Sequence, residues 1–581
     1  MILQALTSYY EMLARRGEIS KPGWGKAKVS FALDLNEQGE IEGLYSLKTE
    51  QTAGKKTVLR PQVLEVPMPE KRTMNPLSNF LCDNSGYILG QDGKGKSGRT
   101  RKYFEACQAL HQAVLEDVDT PAAQAVLNYF RTWDPQSGPD HPALVEDWQE
   151  LMAGANLVFW FEGVPVQEDP EVRKAWERYY AGKEGGVVMQ CLVTGQRTSI
   201  PKIHPPIKGV KNAQSMGANL ISFNEYAFCS YNRKQNYNAP VGAYAAFAYT
   251  TALNQLLADR EHTLTVGDTT VVCWAQSGEH GYQEAFGQGL MGGSAQDEAE
   301  RSVRSAMQAM ARGEPVSWGQ EELQPDMHFY ILGLSPNASR LSVRFFLQNS
   351  FGDFIRRLEE HNQRLDIVRP AFDRFEQLPL WKLLSETVNQ KARDKAPPPQ
   401  LAGSVLQAIL IGDRYPVTLF NGAMLRIRAE REVTRGRAAI LKAYYLRNPH
   451  VGCPEEVLTV ALNESSTNPA YLLGRLFSIL EAVQLAASPG VKATIKDKYF
   501  NSAASTPATI FPILNQLYQK HLRKLSAGQR IYYDKQVGQI KDWLGESLPM
   551  RQNLPEQASF DLGYYQQTQK RYEKKEETSN G

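Results

Sequence analysis

The stretch ARDKAPPPQLAG, residues 392–403, decides how the chain is divided. Three consecutive prolines read as a short stiff connector, and the sequence changes character across it. Beyond it, AYLLGRLFSILEAVQLA places Leu472, Leu476, Leu480 and Val483 at helical spacing, and TIFPILNQLYQKHLRKL does so with Ile510, Leu514, Leu517 and Leu525. KQVGQIKDWL follows with Val537, Ile540 and Leu544. Successive amphipathic segments joined by Gly, Pro and Ser breaks predict a helical bundle over 404–569. Before the prolines, strands and helices mix without regular alternation. AKVSFALDLNEQGEIEGLYSLK alternates as a hairpin, residues 56–80 read as loop, and NLVFWFEG reads as a strand. VVMQCLV, ANLISFN, TLTVGDTTVVCWA, HFYILGLS and RLSVRFFLQ are further candidate strands, with helix expected over GAYAAFAYTTALNQLLAD. The expected class is α+β, with an irregular mixed N-terminal body and a C-terminal all-α helical bundle. The expected parts are 1–185, a β-rich 186–391, the bundle 404–569 and a disordered tail 570–581.

The 581 residues carry 22% charged side chains and a net charge of +2, so the total charge identifies no partner. From Met424 onward there are 22 Lys and Arg against 15 Asp and Glu, a basic excess that suits nucleic acid and equally suits a solvated surface. The six cysteines are isolated, so no paired-cysteine metal knuckle and no disulfide framework is legible. The N-terminus lacks the features of a signal peptide, and no span of about eighteen apolar residues is read. A cytoplasmic protein without a membrane segment is the expectation.

Residues 87–99, YILGQDGKGKSGR, contain Gly90 to Lys96 and Ser97 in the spacing of a phosphate-cradling nucleotide loop. Such a loop needs a preceding strand, here only YIL, and a second strand ending in a magnesium-holding acid, for which Glu162 is the only offer. The αβ alternation of that class is missing. As a nucleotide hydrolase acting on nucleic acid, the chain would depend on Lys96. The same segment clusters Lys94, Lys96, Arg99, Arg101 and Lys102 without an acid, which fits a nucleic-acid backbone or a solvated loop.

The blocks NPLSNFLCDNSGYILG (75–90), GVKNAQSMGANLISFNEYAFCSYNRKQNYNAPVGAYAAFAYTTALNQLL (209–257) and FYILGLSPNASRLSVRFF (329–346) stand beside TIKDKYFNSAASTPATIFPILNQL and SFDLGYYQQTQ near the end. Together they resemble the large subunit of the type I-C CRISPR Cascade surveillance complex, over about residues 20–569. One departure is Gln566, where the family often has histidine. The family is not known for nucleotide hydrolysis, so the glycine loop reads as a coincidence. The resemblance implies a non-catalytic subunit that recognises a protospacer-adjacent motif in duplex DNA and helps open the strands for crRNA pairing. It further implies backbone and handle-binding Cascade subunits as partners, recruitment of a helicase-nuclease, and a small subunit that can be translated from the same gene, with Met424 as one candidate start.

Under that resemblance, Asn75, Ser78, Asn79 and Asn84 are candidates for sensing base edges, with Phe80 as an apolar wedge. Asx residues are also common turn formers, and Phe80 reads equally as core. Lys208, Lys211, Asn212 and Gln214 lie in a glycine-containing stretch that suits close approach to DNA. Arg233, Lys234, Gln235 and Asn238, among tyrosines, suit phosphate and base contact. The nine histidines are scattered. His280 reads as a surface or packing residue, and no spacing implies a metal or a catalytic pair. No cofactor is expected.

Overall fold

In the computed structural model, residues 1–53, 56–69, 76–93, 97–182, 187–291, 297–393, 395–449 and 452–572 are described. They form an α+β protein of two compact units. The first comprises Met1–Pro206 and Ile221–Leu253, the second Ile207–Leu220 and Asn254–Gly581.

In the first unit, every residue of strand Phe31–Leu35 is buried, Asp34 included, so both its faces are covered where the alternation predicts one buried face. It pairs antiparallel with Ile41–Ser46 and parallel with Asn156–Phe161. The latter strand pairs antiparallel with Cys82–Asn84. Helices Ser97–Leu115 and Pro121–Thr132 contribute Phe104, Cys107, Val126, Tyr129 and Phe130 to the same core. Residues 56–67, expected as loop, instead form the middle strand Lys56–Pro67 of a second sheet. It is flanked by Trp24–Val29 and Lys48–Ala53. Its mixture of Val and Leu with Lys, Arg, Gln and Glu is that of a strand whose exposed face is solvated, and pairing on both edges overrides its local polarity.

The second unit is built on the antiparallel sheet Thr263–Val266, Thr269–Ala275, His328–Asn337 and Arg340–Ser350. Helices pack around it, and one continuous core runs from Cys273 and Phe329 through Phe354 and Leu406 to Leu476 and Tyr565. The proline run is therefore not a boundary between compact units. Pro398 is the N-cap and Pro399 the first residue of helix Pro399–Ile411, where a missing N–H costs nothing. Leu401, Val405 and Leu406 then enter the shared core. The expected strand over 218–224 is also absent. That segment makes two isolated bridges, Ile207 with Ala218 and Asn219 with Arg340.

The helical C-terminal part matches its periodicity. Its tightest contact joins Pro469–Ala487 and Leu554–Lys570. A Cβ on Gly474 would lie 2.0 Å from the Phe560 carbonyl oxygen, and one on Gly563 would lie 2.2 Å from that of Tyr471. Only glycine permits this approach. Helix Pro469–Ala487 has the length and hydropathy to cross a membrane, but most of it is buried in the core. Met424 is likewise buried, inside helix Val417–Glu430. Of the expected tail, Lys570 closes the last helix, and residues 573–581 lie outside the described residues.

Candidate nucleic-acid interface

The segment 207–220 is a strap whose backbone is fixed while most of its polar side chains face solvent; Lys211 Nζ reaches back to the Gly267 carbonyl at 3.5 Å. Ile207 and Ala218 exchange both backbone hydrogen bonds, at 2.9 and 2.8 Å, closing the loop at its base. The Lys208 N–H donates to the Asn254 side-chain oxygen at 2.8 Å, and the Lys211 N–H donates to the Thr270 hydroxyl at 3.0 Å. Beyond the loop, the Asn219 N–H donates to the Ser339 carbonyl at 3.1 Å. Gly209 (φ 93°), Asn212 (φ 61°) and Gly217 (φ 94°) make its left-handed corners, a conformation that Gly adopts freely and Asn tolerates. Lys208, Lys211, Asn212, Gln214 and Ser215 are all exposed, and Met216 is exposed beside them. Two cations and two amides are thus carried on one pre-formed turn, a composition suited to phosphate contact and base-edge hydrogen bonding together.

The first unit carries a second exposed loop over 225–238. Arg233 and Lys234 are exposed, and Tyr226 and Tyr231 are 91% and 94% exposed, with Phe228 also open to solvent. Asn238 plays a different part. Its amide nitrogen donates to the carbonyls of Arg233 and Gln235, and its side-chain oxygen accepts from the Ser230 N–H. These bonds hold the left-handed residues Tyr231, Asn232 and Gln235. Asn238 is a staple for the loop, and Gln235 is half-buried within it.

The Asn-rich segment is spent internally. Phe80 is 1% exposed and stacks on Trp176 at 5.1 Å between ring centroids, with the His111 ring at 5.0 Å. In this fold it is a core residue and not an exposed apolar wedge. Buried Asp83 organises the turn, accepting from the N–H groups of Asn79 and Asn84 at 2.9 and 2.7 Å. The Asn84 side chain caps the short helix Ser85–Ile88 by accepting from Gly86, and the buried Ser78 hydroxyl donates to the Asn79 carbonyl. Leu81 is held at φ 54°, its N–H donating to His111 Nε2 at 2.9 Å. Burial depresses the His111 imidazole to about 4, so it stays a neutral acceptor. Asn75 lies outside the described residues.

Lys94 and Lys96 also lie outside them. Tyr87 and Ile88, read as the strand before a nucleotide loop, sit instead in helix Ser85–Ile88, and Glu162 lies at the Glu162–Gly163 turn after strand Asn156–Phe161. Among the described residues, the segment entering the glycine loop is therefore a helical turn and not the strand a phosphate cradle needs. Arg99, Arg101 and Lys102 stand exposed on the first turns of helix Ser97–Leu115. Arg99 lies over the Tyr103 ring, and Arg101 pairs with Glu105 at 3.0 Å.

Residues 6–572 match the family described as CRISPR-associated protein (Cas_Csd1). The chain belongs to the Cas_Csd1 family. The match spans nearly its whole length and both compact units, so it is a CRISPR-associated, Cascade-type protein. No curated protein matches it in sequence.

In this Cas_Csd1 protein the sequence-predicted residues part company: Arg99, Arg101 and Lys102 stand on a helix, Asn238 staples its own loop with Gln235 half-buried in it, and Asn75, Lys94 and Lys96 lie outside the described residues. Lys208, Lys211, Asn212 and Gln214 share one exposed strap. Arg233 and Lys234 stand on another loop, and the described part of 75–84 is consumed by local structure. The sequence reading passed over Tyr226, Phe228 and Met216. Their signal was present, as large apolar side chains in a Ser- and Asn-rich stretch with no period that would bury them.

Proposed function

We propose that this protein is the large subunit of a type I-C Cascade-type complex and reads the protospacer-adjacent motif of duplex target DNA through the strap 208–217. The observation that carries the reading is the pinned backbone beneath four exposed side chains. Ordering entropy is largely settled before DNA arrives, so Lys208 and Lys211 can neutralise phosphates while Asn212 and Gln214 meet base edges. The loop 225–238 offers Tyr226 and Tyr231 with Arg233 and Lys234, the combination of aromatic platforms and cations that holds unpaired strands. Arg99, Arg101 and Lys102 add backbone contacts. The chain acts without catalysis of its own. The guide crRNA reads the sequence, other Cascade subunits hold the guide, and a separate helicase-nuclease cuts.

The test is duplex affinity of the reconstituted guide complex, with and without this chain, on targets with an intact or a scrambled flanking motif. Tight binding that requires both the chain and the intact motif is the expected result. Binding indifferent to either would overturn the reading.

A further inference from the structure

A cluster of donors gathers in the second unit. Asp259 and His262 flank the turn that leads into strand Thr263–Val266, and His280 precedes helix Gly281–Met291. Asp259, His262 and His280 each offer one ligand atom, all within 4.8 Å of one another. Asp259 Oδ2 is 3.9 Å from both His262 Nε2 and His280 Nδ1, and Glu261 Oε2 is 3.2 Å from His280 Nδ1.

The hydrogen bonds behind the cluster set what each atom can do. His262 is buried, and its Nδ1–H donates to the Cys273 carbonyl at 2.9 Å. That bond fixes the tautomer and leaves an electron pair on Nε2. Asp259 uses Oδ1 to accept from the Glu261 N–H at 2.9 Å, which leaves Oδ2 for the cluster. The His262 Nε2 electron pair, against which the Gln283 Nε2–H rests at 3.2 Å, and the Asp259 carboxylate oxygen therefore lie 3.9 Å apart, both able to face a cation.

A second observation points into the same place. Gln283 is fully buried, with Nε2 3.2 Å from His262 Nε2, and its Oε1 has no hydrogen-bond partner. When a metal takes the Nε2 electron pair, a half-turn of this amide brings Oε1 round as an acceptor for a metal-bound water.

We propose that Asp259, His262 and His280, with Glu261 at the rim, bind a divalent transition-metal ion, zinc foremost. Two imidazoles with carboxylate are borderline donors that suit zinc and cobalt over calcium or magnesium, which prefer all-oxygen shells. Tetrahedral zinc with ~2.0–2.1 Å bonds sets its ligand atoms ~3.3 Å apart; Asp259 stands 3.9 Å from each histidine nitrogen and no pair in the set exceeds 4.8 Å, distances that side-chain rotations can close. His280 and Glu261 are more than half exposed, so the ion keeps an open face for water. Bound there, it ties the turn at 259–262 to the start of helix Gly281–Met291.

The test uses the full chain, stripped with a chelator and titrated with Zn²⁺ or Co²⁺ alone. One ion per chain at micromolar affinity or tighter is expected, with cobalt giving the intense visible bands of a four-coordinate site. His280→Ala and Asp259→Asn alter exposed or half-exposed side chains, so the fold is retained, which circular dichroism checks. Each is expected to weaken binding at least 10- to 100-fold and to abolish the cobalt bands. Zinc affinity unchanged in both variants would place the ion elsewhere and overturn the proposal. Affinity no tighter than millimolar would leave His280 as a simple ion-pair partner of Asp259 and Glu261, and would equally overturn it.

Discussion

Two segments with almost the same vocabulary, 76–84 and 208–217, have opposite fates. Both are short, rich in amides and hydroxyls, and bent by left-handed residues. In 76–84 the polar groups are spent on the chain itself. Asp83 and Asn84 satisfy backbone N–H groups, and Phe80 disappears between Trp176 and His111. In 208–217 backbone atoms do most of the anchoring, on Asn254 and Thr270, so Lys208, Asn212 and Gln214 keep their side chains for something outside, and Lys211 is held only by a long 3.5 Å bond from Nζ to the Gly267 carbonyl. A polar loop can be a scaffold or a reader, and what separates them is which of its atoms pay for its shape.

The contrast breaks most visibly at Phe80. Phe80→Ala is expected to cost about 3–5 kcal/mol of stability, read from the midpoint of denaturant unfolding. In whatever fraction stays folded, motif discrimination should be intact. A variant of normal stability that loses discrimination would reverse the assignment of the two segments.

The next effect is a pH dependence. The folded His111 titrates near 4, below an unfolded imidazole at about 6.5. Between these values the unfolded chain binds the extra proton. His111 therefore contributes stability that is complete above pH 6.5 and is lost as pH falls toward 4, at up to about 1.4 kcal/mol per pH unit. Unfolding series at pH 7 and pH 4.5 should show a shallower decline in His111→Gln than in the unsubstituted protein. Equal declines would mean that this buried ring is not held neutral.

On the strap, substitution should spare stability and alter recognition. Asn212→Ala with Gln214→Ala is expected to remove about 1–3 kcal/mol of discrimination between intact and scrambled motifs. Lys208→Ala with Lys211→Ala should instead weaken all duplexes alike and reduce the salt dependence of log K by about 2. Affinity measurements across a salt series separate the two patterns, and unchanged binding in both pairs would leave the strap without a role in DNA contact.

The smallest effect sharpens the comparison from the other side. Asn84→Ala removes a helix cap and should cost about 1 kcal/mol, seen as a lower midpoint of thermal unfolding, with duplex affinity unchanged. A loss of affinity instead would make 76–84 a reader as well.

Much of the architecture was legible because helix and strand periodicity is local. The helical runs at 469–487 and 507–522 carry their own period, and the hairpin at 31–46 and the strand at 156–161 form where the sequence places them, although Phe31–Leu35 is buried on both faces. The proline run misled because a stiff segment looks the same whether it links two cores or starts a helix inside one. Residues 56–67 misled because a polar strand is recognised by its partners on either edge, not by its own composition.

The sequence by itself determined the α+β class, the amphipathic C-terminal helices, the loops rich in cations and amides, and, through its long blocks, the family. Tertiary structure alone decided which of those loops spends its polar groups inward. It alone brought His280 to Asp259 and His262, and placed Gln283 behind them. The reason is physical: periodicity follows from neighbours along the chain, whereas burial and the spending of donors and acceptors depend on atoms the chain brings together only by folding.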